Sequence, residues 1–277
     1  MEAIDKQKNR GRALITADEV KKAARNKGFP AGVLEKYYAL TWLLYGIYNS
    51  ELKDVLAFKG GTALSKVYFP KFWRLSEDLD FTVVKEIQPK EIESMLKNGL
   101  NLLNEKTGMN FYIASFHSNP YHAIASIQFT GSLGKNVIRM DISLSETLVT
   151  KPLKLEKTDD YSDSLSFTIL VYSLDEIMLE KLRSIIQRGK SRDYFDVWML
   201  LNKNKFDKDK IKELFIEKCK FKNIKPDYEL FFEDTKLNEA RDFWEKGLAR
   251  LMKEIPVFDT IIADLRKELE FLQMNRI

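Results

Sequence analysis

"FKGGTALSKVYFPKFWRLSEDLDF", residues Phe58 to Phe81, sets two glycines and a threonine at the opening of a helix, then two aspartates in alternate positions of a strand. "VLAFKG" ahead of it reads as a short strand, Pro70 stops the helix, and "EDLDFTVV" reads as the next strand. Alternate side chains of a strand share a face, so Asp78 and Asp80 point together while Leu79 and Phe81 turn to the core. Two carboxylates about 6 to 7 Å apart along the chain suit one or two divalent cations. Hard oxygen ligands favour magnesium or manganese. Gly60 and Gly61 let backbone approach a ligand closely, and a helix N-terminus offers N–H groups to a phosphate. Thr62 adds a hydroxyl, Lys66 a cation further along the helix, and Ser76 lies on the same strand period as Asp78. Gly60, Gly61, Thr62, Lys66 and Ser76 are therefore the expected nucleotide-binding residues, with Ser76 also a point of control by modification. A phosphate cradle beside a carboxylate pair is the arrangement nucleotidyl transfer needs.

Outward from this stretch, "VIRMDISL" supplies a third carboxylate. Ile138, Met140, Ile142 and Leu144 make one apolar face, which leaves Arg139, Asp141 and Ser143 on the other. If this strand pairs with the one holding Asp78 and Asp80, Asp141 completes a metal-binding triad or serves as a general base. In "LDEIMLEKLRSIIQR", Lys181 lies within the apolar stripe of Leu174, Ile177, Met178, Leu182 and Ile185. A lysine there either snorkels past the core or points into a site between the domains where an ammonium holds a triphosphate, and the site is the favoured reading. In "KSRDYFDVWMLL", Asp193 and Asp196 are i, i+3 neighbours and Arg192 is i, i+4 to Asp196, which by itself reads as a capped helix with a structural ion pair. Glu35, Lys36, His117 and His122 read as structural.

The 277 residues are 44% apolar, enough for a sizeable core, and the net charge of +4 is mild. Basic excess is local: residues 1 to 28 hold eight Lys/Arg against four acids, and residues 201 to 225 nine Lys against four. Such patches suit a polyanion or a solvated helix face. A single cysteine, Cys219, excludes an internal disulfide and fits a reducing cytoplasm. With His117 and His122 the only histidines, a zinc hydrolase or a Ser-His-Asp hydrolase is disfavoured, and the chemistry must rest on carboxylates. The N-terminus has no apolar signal region, and no run of about 18 apolar residues suggests a membrane span.

Periodicity predicts a helix from the Thr16–Glu19 capping box to Gly28, a buried helix over 32–48, and one from Pro89 to about 105. Strands follow at about 110–116, 122–130 and 136–144. After a polar connector, "VTKPLKLEKTDDYSDS", comes a strand at "SFTILVYS", then helices at roughly 174–188, 191–203, 207–220, 237–254 and 257–274. The expected fold is α+β: an N-terminal domain with a mixed, mostly antiparallel sheet over 1–172, and a C-terminal helical bundle over 173–277.

At these residues the chain resembles the AbiEii/AbiGii-type nucleotidyltransferase toxins, a branch of the DNA-polymerase-beta-like nucleotidyltransferase superfamily. "FKGGTALSKVY" with "RLSEDLDF" is similar to the family's first signature. "LEKYYALTWLLYGI", "EKLRSIIQR" and "RDYFDVW" resemble its other segments, in order, over roughly residues 12 to 205. Thr62 stands where serine is common. The resemblance implies a nucleotidyltransferase domain joined to a helical domain with the site in the cleft between them. It also implies magnesium on Asp78 and Asp80, nucleotide phosphates on Gly60, Gly61 and Thr62, and a required lysine and aspartate, Lys181 and either Asp193 or Asp196. It further implies an NTP substrate, tRNA or another RNA as acceptor, and a toxin with a cognate antitoxin. Two other readings stand beside it: transfer to a small molecule or protein hydroxyl, and a nucleotide-binding module without turnover. The last fifty residues match no family segment.

Overall fold

Thr16 caps α1 (Ala17–Lys27) as its spacing requires: its Oγ1 accepts from Glu19 N at 3.2 Å, and the Glu19 carboxylate accepts from Thr16 N at 2.8 Å. Gly28, at φ 68°, ends the helix. The computed structural model describes residues 15–71, 73–158 and 166–273. Residues 1–14 of the basic N-terminal run and residues 159–165 of the connector lie outside them.

The chain divides into two compact units. The first runs to Glu146 and adds Pro152–Val171. In it, α2 (Ala31–Tyr48) is apolar nearly all round and almost wholly buried. β1 (Leu56–Lys59) leads into the helical turn α3 (Gly60–Ala63), which continues as a π-helical turn over Leu64–Tyr68. β2 (Leu79–Val83) precedes α4 (Pro89–Thr107), which opens on Pro89 and a Gln88–Glu91 capping box. β3 (Tyr112–Ser118), β4 (His122–Gly131) and β5 (Gly134–Ser143) form successive hairpins, and β6 (Leu153–Thr158) pairs with β7 (Ser166–Val171).

These strands make one mixed sheet of order β3-β4-β5-β2-β1-β7-β6. β1–β7 and β2–β5 are parallel; the other pairs are antiparallel. Ala123, Ala125, Ile127 and Phe129 of β4 and Ile138, Met140 and Ile142 of β5 are fully buried; α2 packs on these two strands and α4 on α2 and β3. The two helices cross closely because Gly46 and Gly99 face each other: a Cβ on either stands 3.1 Å from the other's carbonyl oxygen. Tyr48 Oη bonds the carbonyls of Leu56 and Leu170 at 2.8 and 2.7 Å, fixing the end of α2 to β1 and β7.

The second unit holds Thr147–Lys151 and Tyr172 onward. Its helices are α5 (Leu174–Arg188), α6 (Ser191–Lys203), α7 (Lys208–Lys220), α8 (Asp234–Asp242), α9 (Trp244–Leu248) and α10 (Phe258–Glu268). Thr147–Lys151 is fastened by a buried ion pair. Lys218 Nζ donates to Thr147 O at 2.6 Å and to Glu176 Oε1 at 2.7 Å, while Glu176 Oε2 accepts from Thr150 N at 2.8 Å.

Three departures from the sequence reading have physical causes. The connector contains the edge strand β6, whose charged, mostly exposed side chains suit a sheet border and hide its alternation. The helix expected over 237–254 is α8 and α9, broken at Phe243; Gly247 weakens the run, and Trp244 turns to pack edge-on against Phe258 at 5.0 Å. A 3₁₀ turn, Tyr228–Phe232, begins at the Asp227 cap and was not expected.

Candidate active site

Asp78 immediately precedes β2 and Asp80 lies within it, flanked by the fully buried Leu79 and Phe81. The parallel register pairs Asp80 with Asp141, so the strand holding Asp141 does lie beside the Asp-x-Asp segment. The two carboxylates thus occupy one row, and Lys59 of β1 continues it on the other side of Asp80.

The glycines earn their place by geometry. Gly60 has φ 75°, a left-handed conformation, and a Cβ there would stand 2.5 Å from Asp80 Oδ2. The Asp80 carboxylate packs against the bare Cα of Gly60. Gly61 is buried in the same turn.

Thr62 departs from the expectation of a hydroxyl offered to a ligand. It is fully buried; its Oγ1 donates to the Asp78 carbonyl and is hydrogen-bonded to Ser76 Oγ at 2.6 Å. Thr62 and Ser76, itself buried, therefore fix the backbone that presents Asp78. Lys66 is also turned inward: its Nζ donates to Tyr37 O at 2.6 Å and Thr41 Oγ1 at 2.7 Å, which makes it a helix-to-helix tie.

Asp141 is committed to neighbours as well. Arg139 donates to it through Nε at 2.7 Å and Nη2 at 3.1 Å, and His122 Nε2 lies 3.2 Å from its Oδ1. The bond to Asp141 and then its charge, with Asp78 and Asp80 adding to them, hold the Arg139 guanidinium above its ordinary range. All three carboxylates act on one patch. They are nonetheless not gathered into a cage: among the described residues no group of three His, Cys, Asp or Glu side chains is placed to hold a metal ion. The metal triad of the sequence reading reduces to Asp78 and Asp80. That pair still fits magnesium, which takes one or two carboxylates and completes its shell with water and substrate phosphates.

Two side chains read as structural stand at this patch. Lys36 Nζ is 4.0 Å from Asp78 Oδ1 and 4.0 Å from Glu77 Oε1, and His122 is the Asp141 neighbour just described. The signal for Lys36 was the charged pair Glu35-Lys36 opening an otherwise apolar helix. His122 had none, because strand pairing alone places it.

Lys181, Asp193 and Asp196 form a set in the second unit. Lys181 Nζ, nearly buried, is 2.8 Å from Asp196 Oδ2 and 3.4 Å from Asp193 Oδ1. Arg188 also grips Asp193, through Nε at 2.9 Å and Nη2 at 3.1 Å. Lys181 and Arg188 supply counter-charge to the two buried carboxylates, Lys181 from within and Arg188 from a largely exposed side chain. Arg192, expected to pair with Asp196, is instead exposed, and Lys181 takes that carboxylate.

The mixed sheet, with an Asp-x-Asp strand following a Gly-Gly turn, has the fold of nucleotidyltransferases. MenT4, a nucleotidyltransferase toxin from Mycobacterium tuberculosis, superposes with a TM-score of 0.68 at 20% identity over 93% of this chain and 89% of its own. JHP933 from Helicobacter pylori gives 0.51 at 16% over 88% and 93%. No curated protein matches the sequence. The family described as "Nucleotidyl transferase AbiEii toxin, Type IV TA system" matches residues 42–267, and the chain belongs to it. It is accordingly a nucleotidyltransferase toxin of a type IV toxin–antitoxin system, a class that uses an NTP and a divalent metal and has a cognate antitoxin. No helix among the described residues is long and apolar enough to cross a membrane.

Proposed function

We propose that this enzyme transfers a nucleoside monophosphate from an NTP to a hydroxyl of RNA, with tRNA the first acceptor to test, in a magnesium-dependent reaction. The observation that carries the reading is the packing of the Asp80 carboxylate on Gly60, which joins the Gly-Gly turn and the Asp-x-Asp strand into one surface. Asp78 and Asp80 hold the cation, and the backbone of Gly60 and Gly61 borders the phosphates. A magnesium ion held by these two carboxylates would supply charge neutralisation to the triphosphate. Asp141, in register with Asp80, assists the acceptor hydroxyl. The hydroxyl oxygen bonds to the α-phosphorus as the bond from that phosphorus to the bridging oxygen breaks, pyrophosphate leaves, and the hydroxyl proton passes to solvent. Within the second unit, Lys181, its ammonium held by Asp193 and Asp196, is the lysine required for activity. The local basic runs suit a polyanionic acceptor.

Incubation with each α-labelled NTP, magnesium and total tRNA tests this. Label enters the RNA fraction, and Asp78→Asn and Asp80→Asn each lower the rate by at least about a hundredfold. Absence of transfer with every NTP, or transfer that survives Asp80→Asn, refutes it. Label in a protein or small-molecule fraction moves the acceptor to that class.

A further inference from the structure

We infer that Lys36 is a phosphate-binding residue of the nucleotide site, drawn to Asp78 at rest and transferred to the triphosphate when it binds. The inference rests on the nucleotidyltransferase reading above and adds a residue from α2 that neither the signature nor the sheet supplies.

Both neighbours of Lys36 in sequence are anchored. The Glu35 carboxylate, 2% exposed, accepts from Ser132 Oγ at 2.9 Å and Leu133 N at 2.8 Å at the tip of the β4–β5 hairpin. A Cβ at Gly131 would meet that carboxylate at 2.5 Å, so the hairpin closes directly over it. Tyr37 donates its hydroxyl to Ser65 O at 2.8 Å, and its carbonyl and ring receive the Lys66 ammonium. The stretch of α2 between these anchors is held against both the hairpin and the helix that follows Gly60. Lys36 is pre-positioned by its neighbours rather than by its own contacts.

Its own contacts are incomplete. The side chain is only 14% exposed, yet both carboxylates nearest its ammonium lie at 4.0 Å, beyond hydrogen-bond reach. An ammonium has three donors, and among the described residues none of those on Lys36 makes a hydrogen bond. Lys66, Lys181 and Lys218 contrast with it, since each, similarly enclosed, bonds an oxygen at 2.8 Å or less. At rest its donors are left to water, and a ligand that supplies charged acceptors replaces that water. Phosphate oxygens beside Asp78 are such acceptors, and lysine binds phosphate as a point charge.

Because Lys36 faces the carboxylate that receives the cation, its removal has effects of opposite sign. Without it Asp78 is more available to a divalent ion, while the triphosphate loses a partner. A merely structural lysine produces no such opposition.

The test uses the full chain with Lys36→Gln and Lys36→Arg. Mn²⁺ alone is titrated by electron paramagnetic resonance, and ATP, GTP, CTP and UTP with Mg²⁺, alongside the matching nucleosides, by calorimetry. Lys36→Gln weakens the bound NTP by about tenfold or more, leaves its nucleoside within about twofold, and tightens Mn²⁺. Lys36→Arg keeps the charge and holds the NTP within about threefold, which reads the inference independently of any packing loss in the glutamine variant. Unchanged NTP affinity in Lys36→Gln, parallel loss of NTP and nucleoside, or weakened Mn²⁺ binding overturns it. If the wild-type chain binds no NTP, the nucleotidyl-transfer reading fails together with it; if it binds and transfers but Lys36→Gln is silent, this inference alone fails.

Discussion

Replacing Gly60 by alanine separates the site's backbone geometry from its side chains. Gly60 has φ 75°, where an L-residue costs about 1–2 kcal/mol. In a unit of this size that lowers the melting temperature by roughly 2–8 °C. The second effect is local. The new Cβ would stand 2.5 Å from Asp80 Oδ2, 3.2 Å from its Cγ and 3.3 Å from its Cβ, so the whole side chain must retreat, the oxygen by roughly 0.9 Å to reach ordinary contact. A displacement of about 1 Å at a reacting centre costs about a hundredfold in rate. Gly134→Ala is the control: Gly134 has φ 121° and nothing lies within 4 Å of a Cβ placed there, so it imposes backbone strain without touching a carboxylate. Initial rates of label transfer from an α-labelled NTP, with urea melts of both variants, check the outcome. Gly60→Ala is expected to be about a hundredfold slow and Gly134→Ala near wild type. If the two rates agree within about threefold, the contact between Gly60 and Asp80 does not position the carboxylate, and the reasoning fails.

Lys218→Met leaves the Glu176 carboxylate, fully buried, without its counter-charge, and is expected to destabilise the second unit by about 3–5 kcal/mol in denaturant melts. Adding Glu176→Gln removes the stranded charge but keeps an acceptor for the Thr150 N–H, so the double variant recovers part of the loss; no recovery would show that packing, not charge, sets the effect. Cys219 is fully enclosed, and burial pushes its thiol up to about 11, outweighing the pull of the Arg183 charge. At pH 8 an aromatic disulfide reagent is therefore expected to label it only on unfolding. The sign for stability follows from proton binding: the unfolded thiol ionises near 9.0 while the folded one keeps its proton, so stability declines between those values as pH rises.

Much of the fold was legible because the strongest signals were local. The Thr16–Glu19 box, Gly28 and Pro89 each fix one helix end through backbone chemistry that no tertiary contact overrides, while Gly108, which ends α4, was not read as its stop. The alternation in β4 and β5 survived because one face of each is fully buried and the other is not. β6 was lost for the converse reason. At this sheet border Lys154 and Glu156 are exposed and even the buried position is a lysine, Lys157, so the segment looks like a linker until the pairing with β7 is seen. Gly247 and Trp244 show a further limit, since the period of 237–254 is helical throughout and only the seating of one indole against Phe258 decides where it breaks.

The site divides along the same line. Asp78, Asp80 and Asp141 were legible as residues that share a strand face, but their partners were not. Arg139 and His122 reach Asp141 along and across the sheet, and Lys36 reaches Asp78 from a helix more than forty residues earlier. Sequence spacing reports which way a side chain points; it does not report which neighbour claims it. Thr62 and Lys66 illustrate the cost of that gap, because a hydroxyl and an ammonium near a glycine turn read as ligand contacts, whereas burial directs both to backbone carbonyls. The inference generalises within this chain: a polar group beside the turn whose hydrogen bonds are already made serves to hold the frame. Lys36, with no protein acceptor among the described residues within hydrogen-bond reach of its ammonium, is the group we infer the frame leaves for the substrate.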